Sequence, residues 1–497
     1  MTTENQSIKI RRSSKLTGAL FLSIAQAVLL GLGYITHILI GKLGGPPLYG
    51  VFGVVLNFMN IINMLLTLGI PVAMSKELAE DEENSGGIFK TAIKAQFIFA
   101  LLLSLLTLIF SKQIALAFGD TKLATAIEFT ALVYPCTALY SIFSNYFNGL
   151  HAFAIQASLI VAYSIFKLIG SVSLLERFGV TGALSGFAIG AAIVTIPGIF
   201  LSRKTIKGRT KRPVKLNKLL TFAGAFVGTS IALQILMSID LFMVKRFLHD
   251  DTLAGYYNAA STLSRIPYFI LQALGFVFLP SVARLMKQDV QKGREFIKDI
   301  SRYLFLLLLP VTALAAATSK GLIHLFYSRE YEPGSQPLTL LMVALGLLAT
   351  FYLFASISAG AGKPKVPLYI SWVLLPLSLT FGYFLIPEYK LEGAAITTII
   401  VSAIGATTIG IYMFKRFSLS FPLKTLFNGI LATAIAVTPT YFLKLPNILL
   451  PLEYLALIVL YLLVLFFLGE LKKDDLSHLK TLTSKKTADQ EGELIIS

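Results

Sequence analysis

The chain has 497 residues, 55% of them hydrophobic and only 14% charged, with a formal net charge of +17. Soluble domains carry roughly 25% charged residues, so this composition excludes a soluble enzyme and points to a polytopic membrane protein. A single cysteine, Cys136, excludes an intrachain disulfide, and five histidines are too sparse for a His/Cys metal cluster.

Lys9, Arg11, Arg12 and Lys15 precede the first apolar run, Leu16 to Ile40. The run is too long for a signal-peptide core, and Gly41–Lys42–Leu43 is not a small-residue cleavage site, so it reads as a retained first span. A bilayer crossing needs about 20 apolar residues. Fourteen such spans are expected, at 17–40, 48–72, 91–111, 123–148, 153–175, 180–201, 219–244, 253–281, 300–318, 336–360, 366–386, 392–414, 424–443 and 450–469. Pro, Gly and charge clusters separate them, as at Gly44–Gly45–Pro46–Pro47 and Gly362–Lys363–Pro364. The chain thus divides into an N-terminus (1–16), an N-lobe of spans 1–6 (17–203), a basic linker (204–218), a C-lobe of spans 7–12 (219–416), spans 13 and 14 (417–470) and a tail (471–497).

Basic residues sort by alternate connections. One side holds both termini and the connections near 73–94, 149–152, 202–218, 282–302, 361–365 and 415–424; the other has scattered singles and pairs such as Lys42, Lys112, Lys122, Lys245 and Arg246. The positive-inside rule then places both termini in the cytoplasm, with the plasma membrane as the expected location. The +17 is a topology signal and an attraction to an anionic leaflet, not a nucleic-acid footprint. No connection before the tail is long enough for a soluble catalytic domain.

The chain repeats itself. LYGVFGVVLNFMNIINMLLTLGIPVAMSKELAE (48–80) has the plan of LAGYYNAASTLSRIPYFILQALGFVFLPSVARLMKQ (253–288), ITHILIGK (35–42) parallels SIDLFMVK (238–245), and FGVTGALSGFAIG (178–190) parallels YKLEGAAITTIIV (389–401). Six spans per half is an even number, so both halves enter the membrane in the same direction. The expected architecture is an all-α bundle of two parallel six-helix repeats around a central cavity, with two extra C-terminal helices.

Polar residues inside the spans nominate the cavity lining. Lys167 lies about 12 Å from either end of span 5 at helical rise, where an ammonium group costs about 2.5–3.5 kcal/mol or more. Gln156, Tyr163, Ser164, Lys167 and Ser171 share one helical face, expected to look into a wet cavity; the alternative is a snorkelling lysine or a helix-packing tie. Span 8 carries a second stripe of Asn258, Ser261, Thr262, Arg265 and Gln272, which should face Asn57, Asn60, Asn63 and Thr67 of span 2. Hydrogen-bond glue between helices is the competing reading of both stripes. Asp240 could bind a coupling cation or proton or pair with Lys245 or Arg246, and His37 is its repeat mate. No phosphate-cradling loop, catalytic acid pair or metal cluster is present, so neither enzyme chemistry nor a cofactor is expected, apart from a coupling Na+ or H+.

LIGKLGGPPLYGVFGVVLNF, LGIPVAMSKELAE and YYNAASTLSRIPYFILQALGFVFLPSVARL resemble the polysaccharide flippases, Wzx-type or stage V sporulation protein B-type, of the multidrug/oligosaccharidyl-lipid/polysaccharide exporter superfamily. The resemblance implies flipping of a polyprenyl-pyrophosphate-linked oligosaccharide to the outer leaflet by alternating access. The partners it implies are that substrate, the bilayer and other glycan-assembly membrane proteins. By resemblance, Arg265–Ile266–Pro267 matches a pyrophosphate-holding arginine of the related lipid II flippases, Asp240 falls at a sodium-ligand position in their span 7, and spans 13 and 14 form a groove for the lipid tail. The chain departs from those flippases in span 1, where Gly33, Tyr34 and His37 stand in place of an Arg–Asp pair. Rival readings are a cation-coupled drug exporter of the same superfamily, which would carry an intramembrane acid in the first half, a glycan-polymerising membrane enzyme, and a lipid scaffold.

Overall fold

A computed structural model describes residues 15–206, 224–417, 423–442 and 446–470. The N-terminus up to 14, residues 207–223 with all but the first three residues of the basic linker, and the tail from 471 lie outside the described residues. The chain is helical throughout what is described, as a backbone in hydrocarbon must be, because lipid supplies no hydrogen-bond partners. Among the described residues fourteen α-helices follow in order: α1 Lys15–Leu68, α2 Ile70–Glu80, α3 Ser85–Ala117, α4 Leu123–Gly149, α5 Phe153–Ile206, α6 Gly224–Leu248, α7 Asp251–Ser264, α8 Ile266–Gln288, α9 Val290–Ala317, α10 Ser319–Phe326, α11 Ser335–Gly360, α12 Lys365–Phe417, α13 Leu423–Phe442 and α14 Leu450–Phe467.

Among the described residues, ten helical stretches are long and apolar enough to cross a membrane. Three of them are hairpins. α1 has 54 residues, about 81 Å of straight helix against a hydrocarbon core of about 30 Å. It turns at Gly45 (φ 70°, ψ 175°), where Pro46 and Pro47 remove two backbone donors. α5 turns at Gly179 and α12 at Lys390. The arms of α5 fold back on each other: the Ser171 hydroxyl donates to the Ala183 carbonyl at 2.7 Å. Counting each hairpin as two crossings and α7–α8 as one gives fourteen; length and apolarity alone establish ten. The expected single span 253–281 is broken at Arg265, because Pro267 cannot donate into the turn before it.

The repeat is visible in the backbone. Gly179 (φ 55°, ψ −132°) and Lys390 (φ 49°, ψ −123°) adopt one conformation 211 residues apart. A Cβ on Gly182 would lie 2.1 Å from the Leu174 carbonyl oxygen, and one on Gly393 would lie 2.1 Å from that of Leu385, at the same offset. The turn closed by Ala152 N–H to Phe147 O recurs as Lys363 N–H to Ser358 O, both at 2.9 Å.

The two halves meet at the end opposite the connections near 73–94, 149–152, 282–302 and 361–365. There the second arm of α1 crosses α7 so closely that a Cβ on Gly255 would stand 1.9 Å from the Pro46 carbonyl oxygen. Repeat mates Gly53 and Asn258 also touch across this crossing. Lys245 of α6 pairs with Asp120 of the α3–α4 turn at 2.7 Å and with Asp251 of its own half. His249 Nδ1 lies 3.2 Å from the Gly119 carbonyl, and the Tyr331 hydroxyl donates to that of Gly41 at 2.8 Å. α13 and α14 stand outside the repeat, tied to α9: Glu470 pairs with Arg302 at 3.5 Å and accepts from Thr425 and Asn428.

Candidate functional site

Lys167 and Arg265 reach the same interior region from opposite halves. Lys167 sits in the first arm of α5 and is 7% exposed. Its backbone is pressed against the second arm, where a Cβ on Gly190 would stand 2.9 Å from the Lys167 nitrogen. Its Nζ lies 5.6 Å from the Tyr163 ring centroid and 5.3 Å from that of Phe187, facing Gly33 of α1. No carboxylate among the described residues pairs with it. The ammonium is therefore held by ring faces, a partial substitute for water.

Arg265 caps α7 at the break before Pro267, so its side chain leaves an irregular turn rather than a helix face. Its Nη2 donates to Asn57 Oδ1 at 3.2 Å and to the Met237 carbonyl. Asn57 is 3% exposed. Its Nδ2 donates to the Gly53 carbonyl at 2.8 Å, and its Oδ1 also accepts from Ser238 at 3.0 Å. His37 lies within Coulombic reach of both cations and shares a 3.0 Å hydrogen bond with the Tyr49 hydroxyl. Nearby, the Tyr34 hydroxyl is buried without a hydrogen-bond partner, and its ring meets Phe269 edge-on at 6.4 Å.

The two polar stripes do face each other, but in direct contact at the closed end: Asn57 meets Arg265, and Asn258 Nδ2 donates to the Tyr49 carbonyl at 3.0 Å. Asn60 is half-buried, Ser261 is buried, and Gln272 is half-buried with its side chain bonded to Tyr352. Tyr163 stacks on Tyr140 at 4.5 Å. The wet-face expectation for span 5 is corrected at two positions. Ser164 is fully buried and donates back to the Ile160 carbonyl at 2.8 Å, and Ser171 packs between the arms of the hairpin. Their face closes on small residues of the second arm, so they serve helix packing while Lys167 extends past them. The base-pairing alternative for Asp240 is also not met. Lys245 binds Asp120 and Asp251 instead, while Asp240 accepts from Tyr257 at 2.9 Å, from Thr398 at 3.3 Å and from the Leu241 N–H at 2.8 Å.

A hydroxyl cluster at the closed end has no counterpart in the sequence reading. Tyr49 bonds Tyr327 at 2.9 Å and Thr262 at 3.2 Å, and its ring lies 6.1 Å from that of Tyr331. Tyr49 and Tyr327 are separated by 278 residues, so no local spacing announces the pair.

Comparison with known proteins agrees with this architecture. The succinoglycan biosynthesis transport protein ExoT of Rhizobium meliloti (strain 1021) is 23% identical over 357 residues, covering 71% of this chain and 70% of its own. A lipid II flippase MurJ in an inward closed conformation superposes with a TM-score of 0.75 at 17% identity, covering 91% of this chain and 99% of that one. An inward-facing multidrug resistance MATE family transporter of the MOP superfamily gives 0.68 at 16% identity, with 81% and 98% covered. These two structures share the fold. The family model for polysaccharide biosynthesis proteins matches residues 16–286, more than half of the chain. The protein is a multi-pass membrane protein that belongs to the polysaccharide biosynthesis protein family.

Proposed function

We propose that the protein flips a polyprenyl-(pyro)phosphate-linked oligosaccharide from the cytoplasmic to the outer leaflet of the plasma membrane by alternating access. The observation that carries this reading is the pair of cations, buried Lys167 and half-buried Arg265, on opposite halves of the repeat, with no carboxylate on Lys167 among the described residues. A buried charge without a partner is costly. A pyrophosphate between the two would supply it, with attraction strengthened by the low dielectric. In this reading the half-buried Asn60 and Gln272 and the ring of Tyr163 would meet the sugar. The closed end faces outside in this reading, so the cavity opens toward the cytoplasm, where the basic connections and both termini stand. Rocking of the halves breaks the Lys245–Asp120 and Tyr49–Tyr327 joints and exposes the headgroup to the outer leaflet. The protein makes and breaks no covalent bond in this cycle. Asp240, buried against Tyr257 and Thr398, is the candidate group for a coupling Na+ or H+.

The test is flipping in proteoliposomes. Purified protein is reconstituted with a fluorescent polyprenyl-pyrophosphate oligosaccharide, and the transferred fraction is read with a membrane-impermeant quencher. Transport by the wild type and its loss in Lys167→Ala/Arg265→Ala are the expected results. Retention of transport in the double variant refutes the cationic site. Absence of transport by the wild type, with cationic-dye efflux in its place, favours a drug exporter of the same fold.

A further inference from the structure

Asn57 and Arg265 belong to different halves of the molecule. The guanidinium of Arg265 is held at one nitrogen, Nη2, by two acceptors: the Met237 carbonyl of its own half and Asn57 Oδ1 of the other. Asn57 is itself fixed. Its amide nitrogen is bonded to Gly53, and its oxygen also accepts from Ser238, again across the halves. Both two-pronged faces of a guanidinium use Nη2, so holding Nη2 fixes the plane and leaves the Nη1 and Nε protons as separate donors aimed at an anion. Separation of the halves at the closed end withdraws Asn57 and keeps Met237, so the orientation of Arg265 changes with the state of the gate.

We propose that Asn57 is a positioning residue that makes the grip of Arg265 on an anionic headgroup depend on closure of the far end of the molecule. This rests on the reading of the site as a pyrophosphate site and names how that site is switched. While the end is shut, Asn57 and Met237 aim the guanidinium and the headgroup is held. When it opens, Arg265 loses its cross-half acceptor, and the headgroup is released on the side to which the cavity has opened. Lys167, whose neighbours Tyr163, Phe187 and Gly33 all belong to the first half, keeps its setting in both states. The switch is therefore carried by Arg265 alone.

The experiment holds the gate shut and removes only Asn57. A Cβ on Gly53 would lie 2.3 Å from the Asn258 Cγ, which puts Gly53→Cys/Asn258→Cys within reach of a disulfide. In full-length protein carrying Cys136→Ser, oxidation locks the closed end, and formation of the cross-link reports that the closed fold is intact. Binding of farnesyl pyrophosphate and farnesyl monophosphate is then measured in detergent for the cross-linked protein with Asn57, Asn57→Ala or Arg265→Ala. Loss of one hydrogen bond to a charged group corresponds to about a tenfold change in affinity. Cross-linked Asn57→Ala is expected to bind the pyrophosphate about tenfold more weakly and the monophosphate about twofold more weakly, because a mis-aimed guanidinium keeps one phosphate within reach and loses the second. Ser238→Ala, which frees only one of the contacts on Asn57, moves the same ratio by less. Cross-linked Asn57→Ala that binds both ligands like its parent overturns the switch while Arg265→Ala still loses binding. A cross-linked parent that binds neither ligand, with Arg265→Ala no different, overturns the pyrophosphate reading itself and the switch with it.

Discussion

Lys167→Met separates a binding role from a structural one. Lys167 is 7% exposed and has no carboxylate partner among the described residues. Placing a lysine at this depth costs about 2.5–3.5 kcal/mol. The faces of Tyr163 and Phe187 return about 0.5–2 kcal/mol of that. A methionine fills nearly the same volume, packs against both rings and carries no charge. The substitution is therefore expected to stabilise the ligand-free protein by about 0.5–3 kcal/mol, while abolishing flipping. The assay is unfolding in mixed micelles with and without farnesyl pyrophosphate. Ligand at a hundred times its dissociation constant stabilises the wild type by about 2.7 kcal/mol, and the variant gains little. A variant that is destabilised by 1 kcal/mol or more refutes the reasoning, since the lysine would then be a packing tie whose removal harms the fold.

Other perturbations probe the scaffold around the site. Burial raises the Asp120 carboxyl, but the hydrogen bonds from Lys245 and the Lys122 N–H and the charges of both lysines outweigh it and hold the carboxyl below its ordinary 3.8. A depressed acid contributes its stabilisation above the ordinary value and loses it as pH falls through the folded one. Asp120→Asn should open the closed end at neutral pH by about fivefold, given about 1 kcal/mol for a partly exposed pair. The readout is labelling of Ser261→Cys by an impermeant thiol reagent at neutral pH in a Cys136→Ser background, and in the parent, tagged at that cysteine beforehand with an environment-sensitive dye, opening should appear only below pH 3.8. Lys390→Gly removes a side chain from a left-handed turn (φ 49°) and should raise stability by about 1 kcal/mol in thermal unfolding. Gly190→Val pushes the arms of α5 apart at Lys167 and should lower farnesyl pyrophosphate binding in protein that still purifies as a monodisperse species.

Much of the fold was legible because the bilayer enforces it. Span length, the Pro and Gly punctuation at 44–47, and the sorting of basic connections are one-dimensional signals. The repeat was legible too, and its spacing recurs in the turns at Gly179 and Lys390. The facing of Asn57 toward Arg265 followed from it. What failed was the assignment of a face. Ser164, Lys167 and Ser171 lie on one stripe, and a stripe does not say whether it meets water or a second helix. Here it meets Gly186 and Gly190, whose lack of side chains lets the arms touch and buries both hydroxyls. The break at Arg265 was signalled by Pro267 but masked by the continuous apolarity around it. Asp120–Lys245 and Tyr49–Tyr327 are joints between distant segments, set only once the halves dock.

The repeat and the site obey different symmetries. At the repeat offset of 211, Lys167 corresponds to Ser378, a buried hydroxyl of α12. At about 205, Arg265 corresponds to Asn60, which is neutral and half-buried. Neither cation thus has a charged mate. The crossing at Gly53 and Asn258, by contrast, brings repeat mates onto each other. A scaffold of two similar halves that touch at mated positions is suited to rocking, because each half can turn as a body about the shared crossing. Two unmated cations, one per half, make the distance between them a function of that rocking. In the proposed cycle an anion that needs both would be held in one state and loosened in the other, and a near-symmetric frame would take its direction from two asymmetric charges.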